Sequence, residues 1–196
     1  MTKTIEFFYD FGSPTVYLAA TQLPGIADSV GATIDWRPML LGGVFKSTGN
    51  QSPVVVSAKA AYMNDDLERF AKRYGVPFRF NPHFPINTLA LMRGAVAYQD
   101  DAVISSTYRD AVFAAIWVDA CNLNEPEVFG QVLTGAGLDS MGLMNRIGQQ
   151  VVKDQLIANT EEAVNRGVFG APTFFVGDQM FFGQDRLDFV AEAISR

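Results

Sequence analysis

The sequence predicts an α/β protein: a β-α-β unit at the start, a β-β-α unit at the end, and a large all-helical insertion between them. Three observations carry this. A β-rich run, Ile5-Glu6-Phe7-Phe8-Tyr9, leads straight into Gly12-Ser13-Pro14 and a helical pattern. The middle of the chain shows a succession of helix-period apolar patterns. The tail returns to strand character on both sides of Gly177-Asp178.

Each element follows in order. From Ser13 the apolar positions Val16, Leu18, Ala19, Leu23, Ile26, Ala27 and Val30 recur with helical period. Ser13 stands where an N-cap belongs, Pro14 at the first helical position, and Gly31 closes the helix. Ala32 to Pro38 alternates as a second strand, which a right-handed crossover would place parallel to the first. Residues 41–56, rich in Gly, Ser and Asn, read as a long loop. Met63, Leu67, Phe70 and Tyr74 then mark a helix face that Gly75 ends. Further helical patterns lie at 87–99, 101–121, 126–136, 140–150 and 153–166. Pro172 to Val176 and Gln179 to Phe182 form a hairpin, and a last helix buries Leu187, Val190, Ala191 and Ile194. The expected architecture is a thioredoxin-like domain over 1–45 and 167–196, interrupted by a helical domain over 46–166.

Composition narrows the function. The 196 residues are 48% hydrophobic, enough for one sizeable core. A net charge of -6 offers no basic stripe for nucleic acid. No apolar run reaches the roughly 18 residues of a membrane span, and the first residues lack the pattern of a signal peptide. The single cysteine, Cys121, excludes an internal disulfide and a Cys-rich zinc site. A cytoplasmic protein without a metal is the expectation.

The turn after the first strand is the candidate site. Ligands of open α/β sheets gather at the carboxyl ends of strands, and a helix N-terminus favours anions. Ser13 either caps the helix or donates a hydrogen bond outward, and position alone favours the cap. Gly170-Ala171-Pro172-Thr173 sets a proline at the start of a strand that should be central, where proline is disfavoured. A cis Ala171–Pro172 bond would explain it and would turn the Ala171 backbone outward, although trans is the commoner state of such bonds.

These motifs resemble a family. The turn at a helix start, the helical insertion and "G-x-P-T" before a terminal hairpin and helix are similar to the DsbA-like thioredoxin fold, with Ser13-Pro14-Thr15-Val16 in place of Cys-x-x-Cys. "DFGSPTVYLA", "GNQSP", "FPINTLALMRG" and "GVFGAPTFFVGDQMFFGQDRL" look like the glutathione-dependent 2-hydroxychromene-2-carboxylate isomerases, relatives of the kappa-class glutathione transferases. The resemblance implies glutathione as cofactor, a small aromatic carboxylate as substrate, and a homodimer. It implies that Ser13, with Pro14 beside it, holds the glutathione sulfur. Ala171, before a cis Pro172, would pair with the cysteinyl backbone, Gln184 and Asp185 would receive the γ-glutamyl end, and Asn50 would make a polar contact. Thr15 departs from the aromatic residue common after Ser-Pro.

The residue types suit thiol chemistry. A free thiol of this kind ionises near pH 8.5, and only the thiolate is a good nucleophile (about 8.5 for cysteine). A helix terminus contributes about 0.3–2 kcal/mol to an anion. A hydrogen bond to an ion contributes about 1.5–3 kcal/mol. Together they would lower the thiol pKa by about one to two. Addition of the thiolate to the substrate would make a double bond single, and elimination would return the trans isomer. Lys46, Lys59 and Arg93 are candidates for the substrate carboxylate. Three other features have structural readings: His83 as a loop residue, Cys121 as a small hydrophobe, and Asp65-Asp66 with Glu68 as a solvated helix face.

Overall fold

A computed structural model describes residues 3–196. Strand β1 (Thr4–Tyr9) is followed by helix α1 (Pro14–Val30) and strand β2 (Thr33–Pro38). Helices α2 (Leu41–Thr48), α3 (Ser57–Tyr74), α4 (Leu89–Ala97) and α5 (Ala102–Trp117) come next. Then follow α6 (Pro126–Gly135), α7 (Ser140–Arg146) and α8 (Gln150–Asn165). Strands β3 (Thr173–Val176) and β4 (Gln179–Phe182) and helix α9 (Leu187–Ser195) complete the chain.

The sheet order is β2-β1-β3-β4. β1 pairs parallel with β2 and antiparallel with β3, which pairs antiparallel with β4. β3 is therefore an interior strand, as expected, and Pro172 stands just before it. Alternation along β1 separates two cores. Ile5, Phe7 and Tyr9 enter the larger one, where Phe7 stacks on Phe174 at 4.9 Å. Phe8 enters the smaller, with Met39, Val44 and Phe175 and with Ala163 of α8. Glu6, on the Phe8 side, takes both guanidinium nitrogens of Arg166 at 2.7 and 2.8 Å. That side chain in turn lies 3.8 Å from the centre of the Phe175 ring, so charge and stacking close this face together.

One expected element was different. Residues 41–48, read as the start of a loop, form α2. The pair Gly42-Gly43 argues against a helix by propensity. Tertiary contacts override it: Val44 is fully buried, and Gly43 brings α2 so close to α8 that an added Cβ would lie 3.1 Å from Thr160 Cγ2. The expected domain boundary at 45 thus falls inside a helix.

Helix packing explains a second glycine. Gly94 on α4 faces Tyr108 on α5, whose hydroxyl donates to Leu91 O at 2.7 Å. A Cβ at position 94 would overlap that phenol. No helix among the described residues is long and apolar enough to cross a membrane.

Candidate active site

The turn between β1 and α1 is organised by a buried carboxylate. Asp10 is 1% exposed. Its Oδ1 accepts from Gly12 N–H at 2.9 Å, and its Oδ2 accepts from Leu41 N–H at 2.8 Å and from the Thr88 hydroxyl at 3.1 Å. Leu41 is the first residue of α2 and Thr88 is the N-cap of α4, so one side chain ties the turn to two helices. Burial pushes the Asp10 carboxyl above its usual range, and the three donors offset only part of that rise. Trp117 adds a further tie by donating from Nε1 to Phe11 O at 2.9 Å.

On this support sits Ser13. It occupies the N-cap position with extended backbone and Pro14 follows it, as the sequence suggested, but its side chain makes no capping hydrogen bond. The α1 amides of Val16 and Tyr17 bond instead to the Ser13 carbonyl. The hydroxyl turns across the site: Ser13 Oγ lies 2.8 Å from Thr15 Oγ1 and 3.3 Å from Ala171 O, and Thr15 Oγ1 also lies 3.3 Å from Ala171 O. The Ala171–Pro172 peptide is cis, the state that the family resemblance implied against the base preference. A second cis bond, Phe84–Pro85, had no signal in the sequence reading.

Gly183 N–H donates to Pro172 O at 3.0 Å, which brings the next residues, Gln184 and Asp185, beside the cis-proline segment. They form a short 3-10 turn ahead of α9. Gln184 is buried, and Asp185 is exposed and paired with Arg186 at 2.5 Å. Asn50 reaches the same neighbourhood: its amide donates to Phe169 O at 2.7 Å. Ser13 and Pro14 thus lie by Ala171 and Pro172, with Gln184 and Asp185 following the residue bonded to Pro172, while Asn50 is tied to Phe169, two residues before Ala171.

The three cations diverge. Lys46 is exposed on the last turn of α2, and Lys59 is exposed on α3 beside Tyr62 and Met63. Arg93 lines a cavity of about 450 Å³ between α2, α4 and α8, walled by Leu40, Leu89, Leu156 and Ile157, with Lys153 also present. The Arg93 Nε is buried and has no partner among the described residues. This cavity adjoins the Asp10 ties, since Leu40 and Leu89 each neighbour a residue bonded to Asp10. Sequence reasoning passed over Asp10 and saw Thr15 only as a departure. The available signal was a carboxylate directly after the apolar run Phe7-Phe8-Tyr9.

The remaining readings are consistent with plain roles. Burial pushes the Cys121 thiol up, with Asp119 adding to the effect, which is the opposite of activation. Asp65 and Asp66 pair with Arg69 on an exposed face, and His83 is exposed. No cluster of three or more metal-ligating side chains occurs among the described residues.

Residues 4–195 match the model of the DSBA-like thioredoxin domain. The chain belongs to the DSBA-like thioredoxin domain family. Within this family it is 34% identical over 192 residues to a 2-hydroxychromene-2-carboxylate isomerase of Sphingobium xenophagum, covering 97% of each chain. It is 28% identical to glutathione S-transferase kappa 1 of Homo sapiens, covering 99% of this chain and 92% of that one. A solved 2-hydroxychromene-2-carboxylate isomerase superposes with a TM-score of 0.89 at 29% identity, over 98% of this chain and 95% of the other. These relatives are enzymes, and this DSBA-like chain is an enzyme of their group.

Proposed function

We propose that the protein is a glutathione-dependent isomerase interconverting 2-hydroxychromene-2-carboxylate and trans-o-hydroxybenzylidenepyruvate. The observation that carries the reading is the Ser13 hydroxyl. It leaves the helix it would normally cap and meets the Ala171 carbonyl, where a tripeptide thiol and its backbone would lie side by side.

The donor set fits glutathione. Ser13 O–H and the positive end of α1 favour a sulfur anion, and neither needs a general base. The Ala171 carbonyl accepts a peptide N–H from an extended ligand. Asp185 offers a carboxylate to the γ-glutamyl ammonium, with Gln184 beside it, and Asn50 holds the neighbouring loop through Phe169. When bound, glutathione would supply the thiolate that adds to and leaves the conjugated double bond, so that cis and trans forms exchange.

This chain's own residues then set substrate and selectivity. Arg93, with an unpartnered Nε among the described residues and Lys153 across a cavity of mixed polar and apolar lining, suits the carboxylate of a planar aromatic acid. Leu40, Leu89, Leu156 and Ile157 would cover the ring and exclude water. Dithiol exchange is excluded because the only cysteine is Cys121. The reading includes a cytoplasmic homodimer, with glutathione drawn from the cytosolic thiol pool.

Absorbance assays of the chromene acid with and without glutathione test the proposal. Conversion only with glutathione, and without loss of the thiol, supports it. A stable thioether formed with a reactive aryl halide and no isomerisation would instead favour a kappa-type transferase.

A further inference from the structure

The two hydroxyls of the turn do not have protons enough for their contacts. Ser13 Oγ, Thr15 Oγ1 and Ala171 O form a triangle with sides of 2.8, 3.3 and 3.3 Å. Each hydroxyl brings one proton, and the carbonyl brings none, so three contacts share two protons. The 2.8 Å side has the ordinary length of an O–H···O bond, and 3.3 Å is long for one. The hydroxyl pair is therefore the strong contact, and both hydroxyls lean on the carbonyl only loosely.

Among the described residues Thr15 spends its hydroxyl nowhere else. It makes no bond to a carbonyl of α1, and the side-chain contacts it has are those to Ser13 and Ala171. Its β-branched side chain holds few rotamers in a helix, and the one present keeps Oγ1 beside Ser13 Oγ, where either hydroxyl can donate. Were Ser13 alone in the turn, the nearest acceptor for its proton would be Ala171 O, which would aim the proton away from a ligand sulfur.

We infer that Thr15 is a positioning residue for Ser13: its hydroxyl donates to Ser13 Oγ and directs the Ser13 proton outward to the sulfur of a bound thiolate. The inference rests on the reading of Ser13 as the sulfur's donor. When a ligand N–H takes Ala171 O, neither hydroxyl is needed there, and the line Thr15 O–H to Ser13 O–H to sulfur forms without moving backbone. A hydroxyl that accepts a hydrogen bond becomes a stronger donor, so the second hydroxyl strengthens the first.

The test is an ultraviolet titration of the thiolate of protein-bound glutathione, in the absence of any second substrate. It compares the wild type with Thr15→Val, Thr15→Ser, Ser13→Ala and the double variant Ser13→Ala/Thr15→Val. Thr15→Val should raise the bound thiol pKa by about 0.5–1, roughly a three- to tenfold loss of thiolate below it. Thr15→Ser should restore the wild-type value, and Thr15→Val should add nothing once Ser13 is alanine. If Thr15→Val fails to fold, Thr15→Ala is read in its place. A normal titration in Thr15→Val beside a shifted one in Ser13→Ala overturns this inference and leaves the role of Ser13 standing. A normal titration in Ser13→Ala overturns both.

Discussion

Ser13 and Ala171 stand 158 positions apart, yet the serine Oγ lies 3.3 Å from the alanine carbonyl oxygen. The contact joins the start of α1 to the entry of β3 and defines the place where a peptide ligand would meet a helix N-terminus. It also explains why a serine in an N-cap position fails to cap. Its hydroxyl is turned toward another segment, and the helix amides are met by the backbone carbonyl.

Ser13→Ala should therefore separate binding from stability. A lost N-cap costs about 1 kcal/mol. Here no cap is lost, so thermal unfolding should move by less than that. Turnover at limiting substrate should fall about ten- to a hundredfold, matching a thiol pKa about one to two higher. A melting-point drop of full cap size, with activity kept, would contradict the assignment.

Asp10→Ala should be costly in both respects. It removes the acceptor of Gly12 N–H, Leu41 N–H and the Thr88 hydroxyl in a fully buried place. Buried donors left unpaired cost about 1–3 kcal/mol each before relaxation, so a loss of about 2–4 kcal/mol in chemical denaturation is expected. Amide exchange should rise at the start of α2 and around the turn. Unchanged exchange there would refute the tie.

The expectation for Arg93→Met is a split between the two ligands. The substitution keeps the apolar stem and removes the guanidinium from the cavity, leaving Lys153. KM for the aromatic acid should rise by about tenfold or more, the worth of a hydrogen bond between ions. Glutathione affinity should stay as it is, and a loss of glutathione binding would place Arg93 elsewhere in the site.

The Glu6–Arg166 pair fixes an acid limit. The Arg166 hydrogen bond holds the Glu6 carboxyl below its usual range, against the opposing effect of burial. A carboxyl depressed in the folded state adds stability above its unfolded pKa, about 4.3, and loses it as pH falls through the folded value. The stability gap between wild type and Glu6→Gln should be constant from neutral pH to about pH 5 and close below about 4.3. Melting curves across that range check it, and a gap that widened in acid would be the wrong sign.

Much of the fold was legible because its signals are local. Pro14, Gly31 and Gly75 mark helix ends, and Gly177-Asp178 marks the hairpin. What escaped depends on distant partners. Helix α2 begins on an acceptor 31 residues upstream, and its glycines read as loop until Val44 and Thr160 are seen against it. The Thr15 hydroxyl acquires its meaning from a carbonyl 156 residues away. Ser13, Ala171 and Gln184 were placed by resemblance, since spacing alone left capping as the favoured role. Arg93 stood level with Lys46 and Lys59 until helix packing placed it, and neither lysine, on the cavity between α2, α4 and α8.

The most direct check is the ionisation of glutathione on the wild-type protein, followed by thiolate absorbance as pH is raised. The account predicts a midpoint about one to two below the free thiol's value of roughly 8.5. A midpoint equal to that in buffer would contradict it.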